Sequence, residues 1–130
     1  MVGWDWTGWC AGMSEPVRRV IGRLADLHDP GSLGLTLKTV QGELDIFVVR
    51  HGGRVEGYIN SCPHTGVNLE WQANQFLDPG GHFIQCATHG ALFRVEDGYC
   101  LRGPCAGEYL SRFLVEVEEG ELVCYTAPVA

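Results

Sequence analysis

Positive charge is scarce in this chain: nine Lys and Arg stand against 16 Asp and Glu, a formal net charge of -7. Nucleic acids and anionic membrane surfaces are bound through basic footprints, so neither is expected as a partner. Long apolar runs are missing too, and no stretch suffices to span a bilayer. Residues 1–13 carry neither the basic start nor the apolar centre of a secretory leader, so a cytoplasmic location is expected. Thiols stay reduced there, which turns the six cysteines into metal ligands and thiols rather than a disulfide framework. Absent as well are internal repeats, low-complexity tracts, phosphate-cradling glycine loops and flavin or nicotinamide fingerprints. No Ser/His/Asp or Cys/His nucleophile constellation stands out, so no catalytic residue is expected.

What is present fits one folded domain. A chain of 130 residues with 45% apolar and 19% charged residues builds a single core without staples. Eighteen glycines indicate many turns and close backbone approaches. Residues 1–15 read as an N-terminal tail and residues 16–130 as the domain. The opening MVGWDWTGWCAGM lacks periodicity. It fits a loosely ordered tail, or an aromatic arm in which Trp4, Trp6 and Trp9 meet a partner or a second subunit.

From Pro16 onward the texture is β. Val17, Val20, Ile21 and Leu24 also fit helical spacing, so a helix there stays open. Leu33, Leu35 and Leu37 then alternate with Thr36 and Lys38. Leu44 to Arg50 is a compact apolar strand, and His51-Gly52-Gly53 turns it into Arg54 to Ile59. Phe113, Val115 and Val117 alternate with Glu116 and Glu118, and Glu119-Gly120 turns into Glu121 to Thr126. Between the two hairpins lies a different region, about residues 60–107, dense in Gly, Pro, Cys and His. Its strands are short, near residues 82–85, 91–94 and 99–101, and Asp78-Pro79-Gly80-Gly81 and Glu96-Asp97-Gly98 separate them. The fold class expected is all-β: an antiparallel base, a sandwich or partly open barrel, carrying a small cluster-binding subdomain.

The chemistry concentrates in two loops, Cys62-Pro63-His64-Thr65-Gly66 and Cys86-Ala87-Thr88-His89-Gly90. The candidate ligands are Cys62, His64, Cys86 and His89. Tetrahedral zinc accepts two Cys and two His, although one Cys and one His per loop is a less usual arrangement for it. A [2Fe-2S] cluster in which two His replace two Cys on one iron accepts the same set. Gly66 and Gly90 suit that cluster, because they let the backbone turn tightly and bring main-chain N–H groups towards the sulfides.

With these residues in place, Asn60 to Leu110 resembles the cluster-binding region of Rieske [2Fe-2S] proteins. The matching residues are Cys62-Pro63-His64-x-Gly66, Cys86-Ala87-Thr88-His89-Gly90, Phe93, Gly98, Gly103-Pro104 and Leu110. The resemblance implies one [2Fe-2S] cluster per chain, with the Cys pair on the inner iron and the His pair on the outer, solvent-side iron. It also implies that Leu69, Gly90 and Gly103-Pro104 cover the cluster. The spacer from Trp71 to Gly81 is longer than is usual in the family and is expected as a surface loop.

The respiratory branch of the family joins its loops by a disulfide, whose cysteines fall at Val67 and Thr88 here. That branch also places a Ser and a Tyr, both donating to the cluster, where this chain has Ala91 and Phe93. Fewer donors leave the reduced, more negative cluster less stabilised, so the midpoint is expected at the low end, on the order of -150 mV. The resemblance therefore points to the low-potential ferredoxin branch. It implies a soluble one-electron carrier, not itself an enzyme, between a flavin-dependent reductase and a terminal oxygenase or other redox enzyme. A small subunit similar to that of assimilatory nitrite reductase and a structural zinc-binding interaction domain are the alternatives.

The remaining polar and sulfur groups are assigned lesser roles. Cys100 and Cys105 bracket Gly103-Pro104 as extra ligands, a local disulfide or small apolar residues. Cys10 and Cys124 are read as incidental, and His28, His51 and His82 as surface residues. Glu116, Glu118, Glu119 and Glu121 form a solvated face or a docking aid for a basic partner.

Overall fold

The structure is a computed structural model that describes residues 17–39, 42–63, 66, 68–70, 72–87 and 90–126, with only the backbone of Thr126. Among the described residues nine strands make three open, three-stranded antiparallel sheets. The first joins β1 (Val17–Arg23), β9 (Glu121–Thr126) and β8 (Glu116–Glu118) in the order β1-β9-β8. The second is β2 (Gly31–Thr39), β3 (Gly42–His51) and β4 (Arg54–Ile59) in chain order. The third, likewise in chain order, is β5 (Phe83–Gln85), β6 (Leu92–Arg94) and β7 (Cys100–Arg102). Among the described residues one 3-10 turn, Leu24–Asp26, interrupts the β structure.

β3 explains the architecture. Its run Ile46-Phe47-Val48-Val49 is fully buried, and alternate side chains on a strand point to opposite faces. Val48 joins Leu122, Leu27 and Val115 on one side, with Ile46 beside Leu37 and Cys124. Phe47 and Val49 join Tyr58, Phe76, Cys62 and Cys86 on the other. A strand covered on both faces has no polar side, which is why its sequence is a continuous apolar run rather than an alternation. The first two sheets thus form a sandwich base, and the far face of β3 is the floor of the site-bearing region.

Two stretches differ from their sequence patterns. Residues 17–23 form a strand and not a helix. They pair with β9, with a register slip between Val20 and Gly22, and the helix-like spacing marks no buried face, since Val17 and Val20 are exposed. The strand expected from Phe113 begins only at Glu116. Upstream, Phe113 N–H donates to the Gly57 carbonyl (2.9 Å) and Arg112 bridges Tyr58, so this stretch follows β4 instead.

Candidate metal centre

The two loops grow out of different elements and are closed by the same kind of backbone bond. The first leaves the end of β4, and the second is the tip of the β5–β6 hairpin, closed where Cys86 N–H donates to the Ala91 carbonyl (2.9 Å). In the first loop Gly66 N–H donates to the Cys62 carbonyl at 2.7 Å; in the second Gly90 N–H donates to the Cys86 carbonyl at 2.9 Å. Each cysteine therefore heads a turn closed by the fourth residue after it. The closing glycines have φ of +80° and +68°, the left-handed region that side chains disfavour. A Cβ on Gly66 would meet nothing within 4 Å, so backbone geometry rather than space calls for glycine there.

Cys62 and Cys86 are both buried and belong to one apolar cluster with Leu69, Ala91, Phe93, Cys105 and Leu110. His64, His89, Val67 and Thr88 lie outside the described residues, as do Trp71, Cys10 and the Trp-rich start. Among the described residues no group of three or more His, Cys, Asp and Glu side chains is placed to hold an ion. The part of the donor set that is described fits a thiophilic metal group. Two soft sulfur donors sit at the heads of matched turns, walled from solvent by apolar side chains. Ala91 and Phe93 are likewise buried, and their side chains carry no polar hydrogen.

Polar residues that sequence patterns do not single out set the loops in place. Asn60, buried at the end of β4, accepts from Leu69 N–H through Oδ1 (2.8 Å) and donates to Glu70 through Nδ2 (3.0 Å). Its side chain thereby closes the segment that contains Cys62. Leu69 in turn accepts from Ala87 N–H at 2.9 Å, which stitches the first loop to the second directly after Cys86. Below them Tyr58 donates to the Val95 carbonyl at 2.6 Å. Burial pushes its hydroxyl pKa well above the ordinary phenol value, so the phenol keeps its proton and the donor role. Arg112 pairs with the buried Glu56, which also pairs with Arg54 at 3.0 Å. The only sequence signal for Asn60 is its position two residues before Cys62.

The Gly103-Pro104 loop returns to the site from β7. A Cβ on Gly103 would lie 2.8 Å from Cα and Cβ of Ala91, so the loop rests directly on the residue that follows the second cysteine turn. Leu69, expected as a cover, is fully buried between the loops. His28 and His82 are exposed and His51 is half-buried, with 6.0 Å between the His51 and His82 ring centres.

The family profile of the Rieske [2Fe-2S] domain matches residues 20–126. The chain is 33% identical over 88 residues to the ferredoxin component of the alkene monooxygenase system of Xanthobacter autotrophicus, across 68% of this chain and 67% of that protein. It is 31% identical over 78 residues to the cytochrome b6-f complex iron-sulfur subunit of Chlorobaculum tepidum. That match covers 60% of this chain and 39% of the subunit, so the chain spans about two fifths of that relative's length. Among solved structures, the ferredoxin of carbazole 1,9a-dioxygenase from Nocardioides aromaticivorans superposes with a TM-score of 0.62 at 25% identity, over 88% of this chain and all of that one. The Sphingomonas yanoikuyae ferredoxin gives 0.65 at 21% identity, over 86% of this chain and all of that one, and shows the shared fold. With matched cysteine turns on a β-sandwich base and a profile match over most of its length, the chain belongs to the family of Rieske [2Fe-2S] domains.

Proposed function

We propose that this protein is a cytoplasmic one-electron carrier that takes electrons from a flavin-dependent reductase and passes them to a terminal oxygenase. Its [2Fe-2S] cluster is held by Cys62, His64, Cys86 and His89, and supplies the one-electron couple when bound. The observation that carries the reading is the pair of buried cysteines whose carbonyls each accept from a glycine four residues on, joined by Ala87 N–H to the Leu69 carbonyl. The relatives support the delivery role: one is the ferredoxin component of a monooxygenase system, and another is the ferredoxin of a dioxygenase. No helix among the described residues is long and apolar enough to cross a membrane. Residues 16–130 form the Rieske domain, with residues 60–107 as its cluster-binding subdomain and residues 1–15 as a tail.

The chain's own residues do three things in this reading. Cys62 and Cys86 supply charged sulfur donors from the apolar side, and His64 and His89 supply neutral nitrogen donors. Leu69 and the Gly103-Pro104 loop keep water from the sulfur side. Ala91 and Phe93 offer no side-chain hydrogen bonds, which supports a potential in the low branch alongside the match to a cytochrome b6-f subunit. Iron and acid-labile sulfide analysis tests the assignment, together with electron paramagnetic resonance after dithionite reduction. Two irons, two sulfides and a Rieske signal are expected, with a midpoint on the order of -150 mV. A colourless protein with one zinc overturns the reading, and a clearly positive midpoint overturns the branch.

A further inference from the structure

We propose that Cys100 and Cys105 form a dithiol–disulfide couple, a second redox site that latches the Gly103-Pro104 loop onto the second cysteine turn. The two sulfurs stand 3.1 Å apart, and both residues are buried. That gap is about 1 Å longer than a disulfide bond. The backbone already holds the two residues side by side. Cys100 N–H donates to the Glu108 carbonyl (2.8 Å), Gly107 N–H to the Cys100 carbonyl (3.0 Å), and Glu108 N–H to the Cys105 carbonyl (2.9 Å). Closing the bridge therefore asks for a small side-chain adjustment and leaves the loop path intact.

The placement gives the couple its consequence. Between the two cysteines lies Gly103, seated on Ala91 directly after the Cys86 turn. Cys105 shares the apolar cluster of both Cys62 and Cys86. A covalent bridge across residues 100–105 restricts how far the loop lifts from Ala91. In the dithiol state no covalent bond closes the loop: backbone bonds, the thiol contact and the Cys100 thiol donating to the Arg102 carbonyl (3.2 Å) hold it, with Pro104, Ala106, Gly107 and Glu108 exposed at its rim. Lifting that rim is the route by which a small oxidant reaches the sulfurs.

Hydrogen peroxide is the class of oxidant that fits a buried pair. One thiol sulfur attacks a peroxide oxygen, the O–O bond breaks, and a sulfenic acid and one water form. The second thiol attacks the sulfenic sulfur, the S–S bond forms, and the second water leaves. Two thiols and one peroxide thus give one disulfide and two waters, with two electrons passed to the peroxide. A small dithiol reductant reverses the reaction by exchange. Burial pushes the Cys105 thiol up to about 12, with the neighbouring Cys100 adding to the shift, so oxidation is slower than at an exposed cysteine.

The bond itself is independent of the proposed cluster ligands, whereas the latch rests on them. The test uses the holoprotein, prepared under reductant and given a peroxide pulse, with an aliquot re-reduced by dithiothreitol. Peptide mapping after denaturing alkylation is expected to recover a Cys100–Cys105 linked peptide that disappears on re-reduction. Release of the metal group to a chelator, followed by visible absorbance, is expected to be severalfold slower in the oxidised aliquot. In a Cys100→Ala, Cys105→Ala double variant the pulse produces no such slowing. Failure to recover the linked peptide overturns the couple. A linked peptide with an unchanged release rate overturns the latch. If the protein holds no iron-sulfur group, the function proposed above fails, while peptide mapping still decides the bond.

Discussion

The base and the site-bearing region are both antiparallel β, yet they hold together differently. In the base, β2 and β3 pair through nine consecutive residues in unbroken register, and their apolar side chains meet those of β9 and β1. In the site-bearing region each strand is three residues long. There, single polar side chains replace ladder length: Asn60 ties Leu69, Asp78 accepts from His82 and Phe83 N–H, and Asp97 accepts from Tyr99 N–H and pairs with Arg94. The base is thus specified by an alternating pattern spread over many residues. The site adds a few polar side chains to short ladders and a shared apolar cluster.

The largest effect that separates the two regions comes from the cysteines. Cys62→Ser or Cys86→Ser is expected to abolish the visible and paramagnetic signals of the cluster while far-ultraviolet circular dichroism retains the β signature of the base. An unaltered metal spectrum in either variant would show the ligand assignment to be wrong. Next is Phe47, which stacks on Phe76 with 4.4 Å between ring centres and belongs to the seam between the regions. Phe47→Ala should cost about 3–5 kcal/mol in chemical denaturation and unfold both regions together. If cluster loss and base unfolding then separate into two transitions, the seam is not where the regions are joined.

Asn60→Ala sharpens the contrast on a smaller scale. It strands the Leu69 N–H and the Glu70 carboxylate, a loss of about 1–3 kcal/mol. Most of it should appear as faster metal release to a chelator, with the denaturation midpoint of the apo base little changed. Asn60→Asp keeps the acceptor for Leu69 N–H and is expected to recover part of the retention. Equal effects on release and on the apo midpoint would make Asn60 an ordinary core residue.

Acid gives the smallest effect and acts on both regions. Gly53 and Gly52 N–H groups, with Arg50, hold the Asp29 carboxyl below the usual carboxylate range. Arg94, then Tyr99 N–H, lowers Asp97 in the same way. A carboxyl whose pKa is lower in the folded state contributes stability that is fully present above its unfolded value, about 3.9. That contribution is lost as the pH falls through the folded value. Thermal melts should therefore be flat in these terms near neutrality and decline below about pH 4. Asp29→Asn and Asp97→Asn should each flatten part of that decline, and an unchanged acid limb in both would remove the carboxylates from the account.

The same contrast decides what was legible in the sequence. Leu33, Leu35 and Leu37, the double-faced run of β3 and the turns at Gly52-Gly53 and Glu119-Gly120 all announce the base, because burial of one or both faces imposes a period. The spacing of the two Cys/His loops announces the family, because the chemistry fixes residue types. The bulge after Val20 and the departure of Phe113 from its expected strand are not visible, since both are set by which partner strand lies alongside. Nor are the roles of Asn60 and Tyr58, which act through contacts with Leu69, Glu70 and Val95 that no local period records. The approach of Cys100 to Cys105 follows from a loop that doubles back on β7.

The bond from Ala87 N–H to the Leu69 carbonyl also has a kinetic meaning. It is the point at which two separately built loops acquire a common clock. Neither turn needs the other to close, because each is closed by its own cysteine and glycine. An amide shielded from exchange at Ala87 therefore dates the moment of their meeting. Opening of that bond removes one backbone tie between the segment after Cys62 and the turn headed by Cys86.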